Sequence, residues 1–333
     1  MTPLLEVLDP GFLTTVQDLG RPSLGHLGVP RSGAADAWSA SVANLLLRNP
    51  IEAAVLECTI VGPSLRALQD TVVAVAGADL GAHALPGKRR LTAGASHVLA
   101  AGEVLSMPGP GAPGARAYLA VAGGIDVPVV LGSRSTCLAA GFGGLDGRAL
   151  RAGDVVAAVG PGPGRPAPIG GLRWTRGPDD PVPGTTGVRV LPSPDAVPDA
   201  LSILAGSAWT VSPTSDRRGL RLVGSPLNVG TDAGDRLTAG VVPGVVQLPP
   251  DGLPVVLLCD APPTGGYPVV AVAIDADQPI LGQLAPGSSI RFTELDTANA
   301  RAANIARRDA LTAGRARLRE AAAWDALSGS AGT

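Results

Sequence analysis

Glycine and proline set the strongest limit on what this chain can fold into. Its 333 residues include 45 glycines and 32 prolines. Both interrupt regular structure, because glycine is conformationally free and proline lacks a backbone N–H. Frequent interruption favours many short strands and turns over long helices. The apolar fraction of 45% still allows a sizeable core, and the length predicts two domains or one large domain with two lobes.

Nine short apolar runs have the composition of strands, and each is bounded by turn-forming residues. These runs cover residues 54–58, 71–76, 116–122, 154–159, 188–191, 220–223, 255–260, 269–274 and 289–292. Strands at this spacing, with few helices between them, predict barrels or sandwiches rather than alternating strand–helix layers.

Three helices are predicted besides the strands. The first covers Ala35 to Leu47 and the second covers Asp195 to Leu204. The third runs from about residue 297 to about residue 327, with Asp296 or Thr297 as its N-cap and Gly314 as a weak point.

A Pro/Gly-rich segment after residue 160 predicts the domain boundary. The predicted organisation is an N-terminal β-rich lobe (1–160), a linker (161–185), a C-terminal β-rich lobe (186–295), and a C-terminal helix with its tail (296–333).

Charge and composition argue against several classes of protein. Lysine plus arginine number 26 against 28 acidic residues, so no basic excess exists to neutralise nucleic-acid phosphates. Aromatic residues are only 3%, too few for a base-stacking platform. Apolar runs are always interrupted before about 18 residues, so we expect no membrane span, and the N-terminus does not read as a signal peptide.

Cysteine and histidine do not suggest a metal site. The widely spaced Cys58, Cys137 and Cys259 predict buried free thiols in a reducing cytoplasm. No pair of the three histidines has the spacing of metal ligands, so we expect no metal. The chain also lacks a Walker-type phosphate loop and the Gly-x-Ser-x-Gly motif of serine hydrolases.

Polar side chains concentrate in residues 11–36, among glycines and prolines. Gln17, Asp18, Arg21, Ser32 and Asp36 lie there. Such a segment is either an ordinary hydrogen-bonded loop or a place where the chain meets a ligand or partner.

Three more polar segments lie in the second half, at 212–221, 243–252 and 260–268. Gly265 and Gly266 would let backbone N–H groups approach a carboxylate or phosphate. Arg217 and Arg218 offer planar forks for the same kind of group. The alternative interpretation is a turn plus a structural Asp–Arg pair.

Taken together, these segments resemble one family. The motifs occur in the family's order over residues 4 to 295, at residues 14–21, 28–36, 120–126, 131–136, 215–222, 247–252 and 264–268. The chain is identified as a member of the biotin-dependent carboxyltransferase-like family, which contains the C subunit of 5-oxoprolinase, KipA-type antagonist proteins and the part of urea carboxylase once called allophanate hydrolase subunit 2.

The resemblance implies a fold and an activity. The implied fold is mainly β, with two cyclophilin-like β-barrel lobes, a few short helices and a C-terminal helix. The implied function is that of one component of an ATP-dependent 5-oxoprolinase complex, which opens 5-oxo-L-proline to L-glutamate with a KipI-like B subunit and an A subunit. The alternatives are a urea carboxylase-like carboxyltransferase component and a KipA-like regulator that binds a KipI-like partner.

The resemblance also implies what the chain does not do alone. ATP would act at the level of the complex, and we expect the isolated chain to be inactive. Lys88 is the only lysine and lacks the Met-Lys-Met context of a biotin carrier, so any biotin would arrive on another polypeptide.

Site residues follow from the same motifs. Either Arg21 or Arg217 would hold a substrate carboxylate, Asp18 or Asp216 would orient an arginine or accept a proton, and the glycine turn would donate N–H groups. The catalytic candidates are Asp18, Arg21, Asp216 and Arg217, and the substrate-binding candidates are Gln17, Ser32, Asp36, Gln247, Asp260, Thr264, Gly265, Gly266 and Tyr267. Pro262 and Pro263 stand where the family commonly has Gln-Thr, which removes hydrogen-bonding groups next to the glycine turn.

Overall fold

A computed structural model describes residues 2–160, 167–194, 199–227 and 237–329, of which 324–329 are described by backbone only. The chain forms two compact units. Unit 1 comprises Met1–Leu19, Ala37–Asp180 and Arg308–Thr333, and unit 2 comprises Gly20–Asp36 and Pro181–Arg307. The early segment Gly20–Asp36 therefore belongs with the C-terminal lobe, although it precedes most of the N-terminal lobe in sequence.

Unit 1 is built on two antiparallel sheets. Its strands are β1 (Thr2–Asp9), β2 (Leu13–Gln17), β3 (Val55–Thr59), β4 (Ser64–Ala67), β5 (Thr71–Gly77), β6 (His83–Leu85), β7 (Arg89–Arg90), β8 (Ala95–Leu99), β9 (Val104–Ser106), β10 (Arg116–Val121) and β11 (Val155–Ala158). The six-stranded sheet has the order β11-β1-β4-β9-β6-β7, and the five-stranded sheet has the order β2-β3-β10-β5-β8. Both sheets contribute fully buried leucines to one core, among them Leu5, Leu65, Leu56 and Leu119.

Unit 2 is a closed barrel. Its strands are β12 (Gly187–Pro192), β13 (Trp209–Val211), β14 (Gly219–Val223), β15 (Ala239–Gly240), β16 (Val245–Gln247), β17 (Val255–Leu257), β18 (Thr264–Gly265), β19 (Val269–Ala273) and β20 (Ser289–Glu294). The barrel order is β12-β19-β16-β17-β14-β13-β20, and β15 pairs separately with β18. A parallel pairing of β12 with β20 closes the ring, so the barrel has no open edge.

Within the described residues, four α-helices accompany the sheets: α1 (Ala37–Leu46), α2 (Ala200–Gly206), α3 (Gln278–Gln283) and α4 (Thr297–Gly329). Short 3-10 turns cover Gly25–Leu27 and Asp275–Asp277. Nine of the ten residues of α1 are buried, so α1 is a core helix rather than a surface helix with one apolar face.

The N-cap of α4 is Asp296, as predicted, because its Oδ1 accepts a hydrogen bond from the N–H of Asn299 at 2.7 Å. Gly314 has a packing role that the sequence does not reveal. A Cβ atom at this position would lie 2.0 Å from the ring of Trp174, so glycine lets that indole pack directly on α4. Trp174 also meets the ring of Trp38 edge-to-face, with centroids 6.1 Å apart.

The predicted fold class is confirmed: the structure is mainly β with short helices and a C-terminal helix. All nine predicted strand segments contain strands. The two lobes differ in geometry: over the described ranges the second forms a closed barrel, whereas the first consists of a six-stranded and a five-stranded sheet. The cysteines are free and buried, as expected. Residues 195–198 of the predicted second helix lie outside the described residues, and α2 begins at Ala200.

Part of the predicted linker forms backbone hydrogen bonds within unit 1. The carbonyl of Leu172 accepts a hydrogen bond from the N–H of Ser96 at 2.9 Å, and the N–H of Gly171 donates to the carbonyl of Ser96 at 2.8 Å. These bonds place the segment beside β8 in unit 1. Residues 161–166 of that linker lie outside the described residues.

Over the described ranges, no helix is both long and apolar enough to cross a membrane.

Candidate functional site

The predicted site residues divide between the two units. Gln17 and Asp18 belong to unit 1, and the other candidates belong to unit 2. Each group is therefore described within its own unit.

Asp18 anchors a loop in unit 1. Its carboxylate accepts hydrogen bonds from the Ser133 hydroxyl and the Arg134 N–H, both at 2.6 Å, and from the Ser135 hydroxyl. These are members of the motif at 131–136, which the sequence placed far from Asp18. With three donors on one buried carboxylate, the geometry fits a residue that fixes a loop.

Gln17 supports the same loop from within the core. It is fully buried, and its Nε2 donates to the Thr15 hydroxyl at 3.0 Å and to the Thr136 carbonyl at 3.3 Å. Gln17 and Asp18 thus hold neighbouring positions of one loop in unit 1.

In unit 2, the segment Gly20–Asp36 is held by buried polar contacts. Arg21, Ser32 and Asp36 are all nearly inaccessible to solvent. The N–H of Ser32 donates to the carbonyl of Cys259 at 2.8 Å, and Gln283 Nε2 donates to the carboxylate of Asp36 at 2.7 Å.

A buried ion pair completes this attachment. Arg217 Nε lies 2.8 Å from Asp260 Oδ2, and Arg217 Nη2 lies 3.1 Å from Asp260 Oδ1. The same Nη2 donates to the carbonyl of Gly33 at 2.7 Å. The name buried junction is used for this ion pair, Arg217 with Asp260, together with the segment Gly20–Asp36 that it contacts. Its charges are paired and hydrogen-bonded, which is the condition for burying ions at tolerable cost.

An open cleft of about 430 Å³ lies on the outer face of the barrel. We call it the barrel cleft. The residues that matter for its chemistry are Asp216, Arg218, Arg221, Gln247, Asp251 and Tyr267. Pro262 contributes an apolar wall, and Pro263 turns its carbonyl to the N–H of Val241 at 2.9 Å.

Strand register places the main polar groups in one row. Val255 pairs with Arg221 on one side and with Gln247 on the other. Adjacent strands lie about 4.8 Å apart, so the Cα atoms of Arg221 and Gln247 are separated by about 10 Å across Val255. The side chains of Arg221 and Gln247 therefore lie on the same face of the barrel, on either side of Val255.

Gln247 places a largely buried side-chain amide against the barrel cleft. The residue is 6% exposed, and its Nε2 has no hydrogen-bond partner within the described residues. A buried polar atom without a partner costs about 1–3 kcal/mol, so a ligand oxygen that satisfies it gains affinity. A Cβ atom at position 265 would lie 2.3 Å from this Nε2, so Gly265 makes room for the amide.

The cleft holds two arginines in different electrostatic states. Arg218 pairs with Asp216 at 2.8 Å, and the hydrogen bond that Arg218 donates to the Asp216 carboxylate raises the pKa of Arg218. Arg221 is exposed, and no carboxylate of the described residues lies within ion-pair distance of its guanidinium. Arg221 is therefore a cation open to an anionic ligand.

Sequence reasoning found part of this cleft. It named Asp216, Gln247 and Tyr267, which line the cleft, and Thr264 and Gly265, which form β18 beside Gln247. It missed Arg221. The available signal was the alternation in Gly219–Val223, where Arg221 stands between two buried leucines and must point outward.

Comparison with known proteins places these features in a family context. Residues 27–294 match the family described as carboxyltransferase domain, subdomain A and B. The C subunit of 5-oxoprolinase from Escherichia coli is 38% identical over 301 residues, covering 87% of this chain and 91% of its own length. Urea amidolyase of Saccharomyces cerevisiae is 31% identical, covering 89% of this chain but only 17% of its own length.

Solved structures agree in fold. The K. lactis urea amidolyase structure superposes with a TM-score of 0.84 at 30% identity, covering 94% of this chain and 20% of that one. The crystal structure of TTHA0988 superposes with a TM-score of 0.75 at 38% identity, covering 88% of this chain. This chain spans about half of TTHA0988, with 55% covered, and a fifth of the amidolyase.

Proposed function

Because the chain belongs to the carboxyltransferase domain family with subdomains A and B, we propose that it is the C subunit of an ATP-dependent 5-oxoprolinase complex. This complex would open 5-oxo-L-proline to L-glutamate with a KipI-like B subunit and an A subunit. It would act in the cytoplasm, in keeping with three buried free thiols.

One observation carries the proposal: the match to the C subunit of E. coli 5-oxoprolinase runs nearly end to end. It covers 87% of this chain and 91% of the relative, and the C subunit from Haemophilus influenzae matches over 87% and 90%. The urea amidolyase relatives match only a small portion of much longer chains. The two C subunits are thus matched over nearly their whole length, which supports the first function.

The barrel cleft offers the groups that a lactam acid requires. 5-Oxoproline carries a carboxylate and a cyclic amide on one small ring. Arg221 would bind the carboxylate, Gln247 Nε2 would donate to the lactam oxygen, and the ring would lie over Val255 between them. The row across three strands sets these two contacts on opposite sides of the ring.

The chemistry follows from that placement. Water adds to the lactam carbon, the ring C–N bond breaks, and the nitrogen takes up a proton to become the amine of glutamate. Negative charge builds on the lactam oxygen as water adds, and the Gln247 N–H would stabilise it; one such donor contributes about 10²–10³-fold in rate. ATP would be bound and hydrolysed by the partner proteins, since the chain has no Walker-type phosphate loop of its own.

The test is a reconstitution. Glutamate release from 5-oxoproline and ATP is measured with this chain and its A and B partners, and again with this chain omitted. The proposal expects release from the full mixture, none from the mixture lacking this chain, and none from this chain alone. Release by the isolated chain, or undiminished release without it, would contradict the proposal.

A second function is favoured by the urea amidolyase relatives, namely a carboxyltransferase component acting with biotin on another polypeptide. The Gln247 amide and the Arg221 cation also fit the oxygen atoms of a carboxylated ureido group, and such a biotin group would supply the carboxyl that is transferred. A reconstitution that releases no glutamate, but in which the chain carboxylates urea with a biotin carrier protein, would favour this function.

A further inference from the structure

A second cleft, in unit 1, has no part in the proposed function. It encloses about 560 Å³ between the end of α1, the segment around Leu172 and the later turns of α4. We call it the helix cleft. Its floor is apolar, formed by Leu45, Leu172 and Leu318, and its rim carries Arg48, Arg315 and Arg319.

The three rim arginines lack carboxylate partners within the described ranges. Arg48 donates to the carbonyl of Ala167 at 3.3 Å, so its only side-chain hydrogen bond within these ranges is to a neutral backbone group. Among the same residues, neither Arg315 nor Arg319 has an ion pair or a side-chain hydrogen bond. Three cations around an apolar floor call for a ligand with an apolar body and an anionic head.

The backbone at Arg48 strengthens this interpretation. Arg48 adopts φ 59° just after α1, where its N–H donates to the carbonyl of Leu45 at 3.0 Å and the N–H of Asn49 donates to the carbonyl of Asn44 at 2.9 Å. This is the Schellman ending, whose left-handed position normally favours glycine. A non-glycine residue there costs about 1–2 kcal/mol, so the arginine is held against local preference.

The size of the helix cleft selects the ligand class. Arg315 and Ala323 mark its extent along α4, which is eight residues or about 12 Å. That length accommodates a chain of about eight carbons, and the volume is typical of small-molecule sites. A protein partner needs about 800 Å² on each side, which a groove of this length does not supply.

We propose that the helix cleft is a binding site for a medium-chain aliphatic carboxylate, whose chain lies on Leu45, Leu172 and Leu318 and whose carboxylate meets Arg48, Arg315 and Arg319. The site is separate from the barrel cleft and does not depend on the catalytic proposal.

The experiment is calorimetric titration of the isolated chain with octanoate, octanol and acetate. Octanoate is expected to bind with a dissociation constant on the order of 0.1 mM, as its ten heavy atoms allow. Octanol keeps the aliphatic chain but lacks the carboxylate, and acetate keeps the carboxylate but lacks the chain. Both should bind at least about tenfold more weakly than octanoate. Equal binding of octanoate and octanol, or of octanoate and acetate, would overturn the proposal, as would no octanoate binding.

Three variants separate binding from folding. Substituting both rim arginines of α4 (Arg315→Gln with Arg319→Gln) should weaken octanoate binding by at least about tenfold. The control Arg301→Gln, an exposed arginine on the first turns of the same helix, should leave binding unchanged. If R301Q weakens octanoate binding as much as the double variant does, the loss comes from the lower net positive charge of the protein, and the helix cleft is not the binding site.

Arg48→Gly is the most informative variant, because it should affect stability and ligand binding in opposite directions. Glycine relieves the left-handed backbone, so the melting temperature should be unchanged or higher. Octanoate binding should nevertheless fall by about tenfold, since one charge-assisted contact is lost. A variant that is as stable as the parent and binds octanoate equally well would contradict the role of Arg48. Binding of an acidic helical peptide in place of octanoate would overturn the small-molecule assignment.

Discussion

The buried junction and the barrel cleft use the same residue types in opposite states. In the junction, both side chains of the Arg217–Asp260 pair are 3% exposed, and their donors are matched by acceptors. In the cleft, Gln247 keeps a donor without a partner among the described residues, and Arg221 keeps an open charge. Matched polar groups hold a structure together, and unmatched groups at the edge of a cleft are free to meet a ligand.

The contrast is sharpest between two adjacent arginines. Arg217 points into the unit and Arg218 points out, where its side chain is 63% exposed beside Asp216. From the sequence alone, both guanidinium groups are candidates to bind an anion. Their positions indicate that Arg217 holds parts of unit 2 together, whereas Arg218 and Arg221 face the barrel cleft.

The largest expected effect is on the buried junction. Asp260→Ala leaves the Arg217 charge buried without its carboxylate, so the free energy of unfolding should fall by about 3–5 kcal/mol. Urea denaturation measures it. The double variant Arg217→Met with Asp260→Leu removes both charges and should be less destabilised than D260A. A loss below about 1 kcal/mol in D260A would show that the pair does not hold the junction.

The second-largest effect is expected at Gly265, whose missing side chain leaves space for the Gln247 amide. Gly265→Ala places a methyl against Gln247 Nε2 and should lower kcat/KM in the reconstituted assay by about tenfold or more, because the displaced amide loses its transition-state contact. The matched control is Gly266→Ala, where a Cβ atom would approach nothing nearer than the Thr238 hydroxyl at 3.8 Å. Equal activity of the two variants would remove Gln247 from the mechanism.

A third ion pair is less buried than Arg217–Asp260 and less exposed than Arg218–Asp216. It tests whether the contribution of an ion pair to stability falls as its exposure rises. Arg148 and Asp154 in unit 1 form two contacts at 2.7 and 2.9 Å, with side chains 25% and 14% exposed. The hydrogen bond from Arg148 lowers the pKa of Asp154. Asp154→Asn should cost about 1–2 kcal/mol at neutral pH.

That cost should depend on pH in a defined direction. A lowered native pKa means that the stabilisation is complete above the unfolded value of about 3.9 and is lost as pH falls through the native pKa. The difference between D154N and the parent should therefore shrink in acid. Asp146→Asn is the control: it removes a largely exposed carboxylate 3.5 Å from Arg148 and should cost less than about 0.5 kcal/mol at neutral pH. A constant difference down to a pH of about 2 would contradict the assignment.

The smallest effect is expected at the exposed pair. Asp216→Asn should change the free energy of unfolding by less than about 0.5 kcal/mol, because water screens the contact with Arg218. A loss above about 2 kcal/mol would contradict the contrast with Arg217.

The sequence predicted the fold class and nine of the strands, because local rules decide these features. Short apolar runs between turn residues identified the strands, and Asp296 identified the start of α4. What it could not supply was long-range pairing. Nothing local reveals that Gly20–Asp36 packs with Arg217 and Asp260, or that Gly314 makes room for Trp174.

The candidate site was predictable only in part for the same reason. The motifs named Gln247 and Tyr267, but whether an arginine is buried or open depends on its partners. Arg217 finds Asp260 forty-three residues away, whereas Arg221 has no acid beside it among the described residues. The row of Arg221, Val255 and Gln247 exists only once three strands are in register.

The most direct test is the kinetics of Arg221→Gln in the reconstituted 5-oxoprolinase assay, with its melting temperature measured in parallel. We expect KM for 5-oxoproline to rise at least about tenfold, through loss of a charge-assisted contact, while the melting temperature stays within about 2 °C of the parent. An unchanged KM in a fully active mixture would show that the open cation of the barrel cleft does not bind the substrate carboxylate.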